Sequence, residues 1–122
     1  MGVQAAFVVP HPAVIVPEIG RGQEKKIQKT VDACQEVARR IGEQKPETIV
    51  LISPHQVMYA NYFHISPGSE AKGNFAKYGA GQIGMEISYD EEFVELLCQV
   101  AETKKLPAGI QGEIDPQLDQ GT

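Results

Sequence analysis

The sequence predicts an α/β fold: a mainly parallel sheet begun by a right-handed βαβ unit, with helices on its faces. Three observations carry that expectation. Ala5 to Val9 is a short apolar, β-branched run stopped by Pro10, the pattern of a buried strand. Between Gln23 and Gln44, the residues Ile27, Val31, Cys34, Val37, Ala38 and Ile41 recur at steps of three and four, which lines one face of a helix. Thr48 to Ile52 is again almost wholly apolar, as a parallel strand covered on both faces should be. Strand, helix and strand within about 50 residues form a crossover that is right-handed in nearly every case.

The remaining elements follow from punctuation and periodicity. Pro10, Pro12, Pro17, Gly20 and Gly22 enforce an irregular loop before the helix, in which Val14, Ile15 and Val16 are expected to bury. Pro46 stops the helix because its ring cannot continue the backbone pattern. Tyr62 to Ser66 reads as a strand. Pro67 to Gln82, with Gly68, Gly73, Gly79 and Gly81, reads as a long loop, and Ile83 to Tyr89 as a further strand. Asp90 suits an N-cap, with Glu91 and Glu92 favouring the positive end of the helix that follows. Phe93, Val94, Leu96, Leu97, Val100 and Ala101 give that helix a broad apolar face. Pro107, Gly109 and Gly112 then break the chain around a minor strand at Ala108 to Gln111.

Composition excludes several classes of function. With 122 residues, 42% apolar and 22% charged, the chain reads as a single α/β domain over residues 1–122. No apolar run approaches the about 18 residues of a membrane-spanning helix, and no basic stretch precedes an apolar one at the N-terminus. A net charge of -5, from 11 basic and 16 acidic side chains, argues against nucleic acid as a partner. The cluster Lys25, Lys26 and Lys29 reads as the solvated face of the helix. Cys34 and Cys98 fall inside apolar helical patterns and read as reduced, buried thiols of a cytoplasmic protein.

Two histidines stand out by position. His11, in V-V-P-H-P, follows the first expected strand, and His55, in L-I-S-P-H-Q, follows the second. Both therefore fall just beyond the carboxyl ends of neighbouring parallel strands, the edge at which open α/β sheets hold ligands. Strands in one sheet lie about 5 Å apart, so both imidazoles can reach one ion, and neutral imidazole is a common ligand of Zn(II) and non-haem Fe(II). The competing reading, a hydrogen bond from each histidine to a loop carbonyl, stands beside it. His64, inside an expected strand, reads as structural.

Other patterns carry less. Gly79-Ala80-Gly81-Gln82-Ile83-Gly84 fits G-x-G-x-x-G, but a dinucleotide site needs a strand before it, a helix after it and an acidic residue about 20 positions on. Here a glycine-rich stretch precedes, a strand follows, and Lys104 occupies the acidic position. Glu18, Glu113, Asp115 and Asp119 are candidate oxygen ligands without a ligand spacing. Ser53 lacks the glycine-rich elbow of a hydrolase.

Taken together, V-P-H-P-A-V-I-V-P-E-I-G-R-G, the L-I-S-P-H strand end, Y-F-H-I-S-P-G and the terminal L-D-Q-G-T resemble a known family. They resemble the amino-terminal half of the LigB-type class III extradiol ring-cleavage dioxygenases, and more closely the AmmeMemoRadiSam-associated branch. The resemblance spans essentially the whole chain. It implies an aromatic ring-opening dioxygenase that takes a small aromatic diol, with Fe(II) as cofactor, or Zn(II) in some relatives. It implies His11 and His55 as metal ligands. The third ligand, a glutamate, and the acid/base histidine come from a half of the domain with no counterpart here, so the chain is truncated relative to the family domain and is expected to be inactive alone.

One position departs from the family pattern. Gln120 stands where L-D-H-G-T has an active-site histidine, and glutamine cannot exchange protons near neutral pH. The alternatives are a non-catalytic binding or scaffold module of the same fold, or a zinc-binding relative of other activity. A parallel sheet ending at Thr122 is expected to leave an edge or apolar face that self-association covers, hence a homo-oligomer.

Overall fold

The structure is a computed structural model that describes residues 2–112, 117–119 and 122. By its contacts the chain divides into two units, Met1–Val50 and Leu51–Thr122.

The first unit is built on one long helix. A 3-10 turn at Ala13–Ile15 leads into the single-turn helix α1 (Pro17–Gly20). A second 3-10 turn at Gln23–Ile27 then feeds α2 (Gln28–Gln44). The expected stripe is present: Ile27, Val31, Cys34, Val37 and Ile41 are half-buried, while Lys29, Gln35, Arg39 and Glu43 are exposed. Ala38 falls outside it and is exposed. The helix stops where Lys45 turns left-handed at φ 47° and gives its N–H to the Ile41 carbonyl at 3.2 Å, one residue before Pro46. Val14, Ile15 and Val16 are half-buried in the preceding turns.

The exposed face of α2 carries an ion cluster. Glu36 accepts bonds from Arg39 Nε at 2.7 Å and Nη2 at 2.8 Å, and from Arg40 Nε at 2.8 Å, and Arg39 also bonds Glu43. The Arg39 guanidinium, followed by Arg40, pulls the Glu36 carboxyl from 4.5 down to about 2, and Glu36 in turn raises Arg39 further. A carboxylate with a depressed folded pKa stabilises above its ordinary value and loses that contribution as pH falls through its folded one. Helicity of α2 should therefore decline between pH 4.5 and about 2. Circular dichroism of Glu36→Gln should show a shallower decline over that window, and only modestly, since exposed pairs are screened by water.

The two apolar runs flanking this helix differ from expectation. Residues 5–9 and 48–52 carry no ladder among the described residues, and Val8, Val9, Ile49, Val50, Leu51 and Ile52 are exposed, Ile52 by 92%. The βαβ unit is present here as its helix alone. The physical reason is that a two-sided strand needs hydrogen-bonded neighbours and apolar cover on both faces, and the described residues bury only Ala71, Ala80 and Ala101 as hydrophobic side chains.

Among the described residues the second unit holds all the ladders, and with its helix it makes the molecule a mixed α/β structure with a parallel pair. Its elements are β1 (Phe63–His64), β2 (Glu70–Phe75), β3 (Ala80–Ser88), α3 (Glu91–Thr103) and β4 (Ala108–Gly109). β1 and β4 run parallel, pairing Phe63 with Ala108 and His64 with Gly109. The Phe63 N–H reaches the Pro107 carbonyl and the Ile65 N–H the Gly109 carbonyl, each at 2.8 Å. Both the Tyr62 to Ser66 strand and the minor strand after Pro107 thus appear, shortened.

The expected loop at Pro67 to Gln82 is corrected. β2 and β3 form an antiparallel hairpin from Glu70↔Ser88 to Asn74↔Gly84, slipping register between Asn74 and Phe75. A 3-10 turn at Ala76–Tyr78 joins them, closed by Gly79 at φ 76° with its N–H on the Ala76 carbonyl. Ala71 is buried, Gly73 and Phe75 half-buried, and Glu70, Lys72 and Asn74 exposed. That is a period of two. Two of its three inward residues, Ala71 and Gly73, are small, so the alternation carries little hydrophobic signal in sequence.

α3 begins as expected, with Asp90 Oδ1 accepting the Phe93 N–H at 3.0 Å. This satisfies one of the four orphan donors at the helix start. Phe93, Val94, Leu97, Cys98 and Ala101 face inward, but Leu96 and Val100 are exposed, so the apolar face is narrower than read from sequence. Cys34 and Cys98 are free and half-buried. Among the described residues no helix is long and apolar enough to cross a membrane.

Candidate functional site

His11 lies in the first unit, half-buried in the loop that opens the turns before α2. Backbone bonds fix the chain just after it. Ile15 N–H reaches the Pro12 carbonyl at 3.0 Å, Val16 N–H the Ala13 carbonyl at 3.1 Å, and Gly20 N–H the Val16 carbonyl at 2.8 Å. On the other side, Cys34 Sγ from α2 meets the Pro10 carbonyl at 3.9 Å. The apolar stripe of the helix thus touches the residue immediately before His11. Gly20 is buried where a Cβ would stand 2.5 Å from both the Val14 carbonyl oxygen and Glu24 Oε2. Glu24 Oε2 also accepts the Gly22 N–H at 2.7 Å, at a residue with φ 97°. The V-I-V-P-E-I-G-R-G motif is therefore a tightly wound support beside His11.

His55 lies in the second unit, exposed, with its N–H directed to Ser53 Oγ at 3.4 Å. Its neighbour Gln56 donates from Nε2 to the Gln117 carbonyl at 2.9 Å. Gln117 bridges Lys72 in parallel, and the Leu118 N–H reaches the Lys72 carbonyl at 3.0 Å. Gly73 lies under Leu118: a Cβ there would stand 2.8 Å from Leu118 Cβ. Two motifs 61 residues apart, the strand-end S-P-H-Q and the start of L-D-Q-G-T, are joined on β2 in this way. Asp119, half-buried with its Oδ2 out of contact with solvent, follows directly.

Of the other candidates, Glu18 is exposed in the first turn of α1. Gln120, Glu113 and Asp115 lie outside the described residues. His64 sits in β1, with its ring edge-on to Tyr59 at 6.0 Å between centroids. The Gln56–Gln117 tether was missed from sequence, because neither glutamine stands in a pattern that signals a partner. The G-x-G-x-x-G stretch forms the turn into β3 and the strand itself, with no helix after it, so it lacks the context of a dinucleotide site.

Among the described residues, no group of three or more His, Cys, Asp and Glu side chains is placed to hold a metal ion. His11 lies in the first unit, and His55 and Asp119 lie in the second.

Comparison with known proteins adds an independent observation. The family described as the catalytic LigB subunit of aromatic ring-opening dioxygenase matches residues 5–122. A Clostridium acetobutylicum protein, Protein CA_C1420, is 31% identical over 108 residues, which is 88% of this chain and 23% of that protein. The chain thus spans about a quarter of the length of that curated relative. No solved structure matches.

Proposed function

The chain belongs to the LigB family, the catalytic subunits of aromatic ring-opening dioxygenases, and from that premise we propose that it is the amino-terminal part of a metal-dependent extradiol dioxygenase domain. In this reading His11 and His55 are two ligands of a divalent metal, Fe(II) in an active enzyme, and the substrate is a small aromatic diol. The AmmeMemoRadiSam-associated branch is the part of the superfamily whose motifs it follows. The observation that carries the reading is the family match across nearly the whole chain, coinciding with backbone turns that follow His11 and a Gln56–Gln117 bond beside His55.

The residues present fit such a metal in kind but not in number. Imidazole nitrogens suit Fe(II) and Zn(II), and a two-histidine, one-carboxylate triad would leave positions open for substrate and dioxygen. The described residues hold no three-donor group. This chain's own share therefore ends at supplying nitrogen donors on braced loops, and alone it does not turn over substrate. In this reading the third donor and the acid/base group come from another part of the family domain. Free, half-buried cysteines accord with a reducing cytoplasmic setting. The exposed apolar runs at residues 8–9 and 49–52 favour self-association into a homo-oligomer.

Metal titration tests the reading. Two imidazoles without a carboxylate should follow the affinity series, with nickel, copper and zinc above Fe(II). By calorimetry the chain should bind Zn(II) at least about tenfold more tightly than a His11→Ala, His55→Ala double variant of equal helicity. Equal affinity would leave the family fold as a non-catalytic module.

A further inference from the structure

The second unit contains a polar atom that its surroundings do not serve. Among the described residues, His64 Nδ1 is buried and has no hydrogen-bond partner. The short segment leaving β4 lies over it. At Gly112 a Cβ would stand 2.5 Å from His64 Nδ1, 2.8 Å from its Cγ and 2.9 Å from Tyr59 Cε2, so bare backbone lies across the imidazole. At Gly109 a Cβ would stand 2.6 Å from Tyr62 Oη. Between these glycines the Gln111 N–H donates to Tyr62 Oη at 3.2 Å. The rings beneath pack edge-on, Tyr59 to Tyr62 at 6.2 Å and Tyr59 to His64 at 6.0 Å.

Two forces oppose each other in this arrangement. Contact with the rings and one hydrogen bond hold the segment down. The buried nitrogen pulls the other way, because a buried polar group without a partner forfeits the hydration it would have in water. Lifting the segment returns that hydration while β4 stays anchored through the Ile65 N–H on the Gly109 carbonyl. We propose that residues 109–112 form a strap, latched by Tyr62, that closes over His64 and opens to expose its Nδ1 to solvent. The strap needs glycine at both ends, since any side chain there would meet the rings it covers.

Amide hydrogen exchange on the full chain tests this without any metal or substrate, and so stands apart from the dioxygenase reading. Tyr62→Phe removes the latch and should speed exchange at Gln111 about fivefold, the population change that one ordinary net hydrogen bond represents. His64→Leu removes the buried nitrogen and should slow exchange at Gln111, because opening then gains nothing. A histidine that merely packs predicts the reverse, since a smaller side chain loosens its cover. Amides of the β2–β3 hairpin should be unchanged in both variants. Faster exchange in His64→Leu, a free-peptide rate at Gln111 in the unaltered chain, or equal changes across the hairpin would each overturn the strap.

Discussion

Gly84→Ala is expected to open the β2–β3 hairpin. Gly84 pairs with Asn74, and a Cβ on it would stand 2.6 Å from the Gly73 carbonyl oxygen and 2.9 Å from Asn74 Cβ. The first obstacle is backbone, so no side-chain rotation relieves it. The strands must separate or the register must slip, and an overpacked contact of this kind costs about 1–3 kcal/mol. Against a total stability of about 5–15 kcal/mol that is a large share. The loss should also reach the His55 loop, because β2 carries Gln117 and Leu118, to which Gln56 is tied. Urea denaturation followed by circular dichroism should show a lower midpoint for Gly84→Ala. Gly81→Ala is the control: its Cβ would come no nearer than 3.3 Å, to the Ala76 side chain.

Gly20→Ala should disturb the first unit by a comparable amount, at the support beside His11. Helix propensity alone predicts the opposite sign, since alanine gains up to about 1 kcal/mol over glycine inside a helix. α1 is one turn long, so little of that gain is realised. The added Cβ would stand 2.5 Å from both the Val14 carbonyl and Glu24 Oε2. Glu24 can swing aside. The carbonyl cannot, because Val14 lies inside the 3-10 turn that follows His11 and Pro12. The expected result is a net loss of about 1–3 kcal/mol, with the imidazole resonances of His11 shifted in a proton NMR spectrum and those of His64 unmoved. A Glu24→Ala background should not rescue it, since the backbone oxygen remains. Unchanged stability and an unshifted His11 would show that the loop yields freely.

Both positions show how the sequence misleads where backbone geometry rules. Gly84 belongs to a G-x-G-x-x-G string, which the sequence reads as lacking the context of a nucleotide site. It gives no positive reason for the glycine. The reason is a cross-strand carbonyl with no room beside it, a contact that exists only once Asn74 and Gly84 are paired. The hairpin was missed on the same ground: Ala71 and Gly73 face inward with too little apolar surface to stand out from a loop. At the candidate site, His11 and His55 were legible as residues after apolar runs. The tether from Gln56 to Gln117 was not, because a side chain bonding a carbonyl 61 residues away leaves no trace in local pattern.

What the sequence determined by itself is whatever depends on neighbours within a turn or two. It set the α2 stripe and its stop at Pro46, the Asp90 cap of α3, the strand at β1, and motifs specific enough to place the chain in the LigB family. Each rests on interactions between residues close in the chain, so composition and spacing suffice. Tertiary structure decided which extended segments are paired. It left residues 5–9 and 49–52 exposed, paired β1 with β4 across more than forty residues, and laid bare glycine backbone over His64. A ladder needs a partner strand and a buried face needs a cover, and neither is a property of the segment that lacks it.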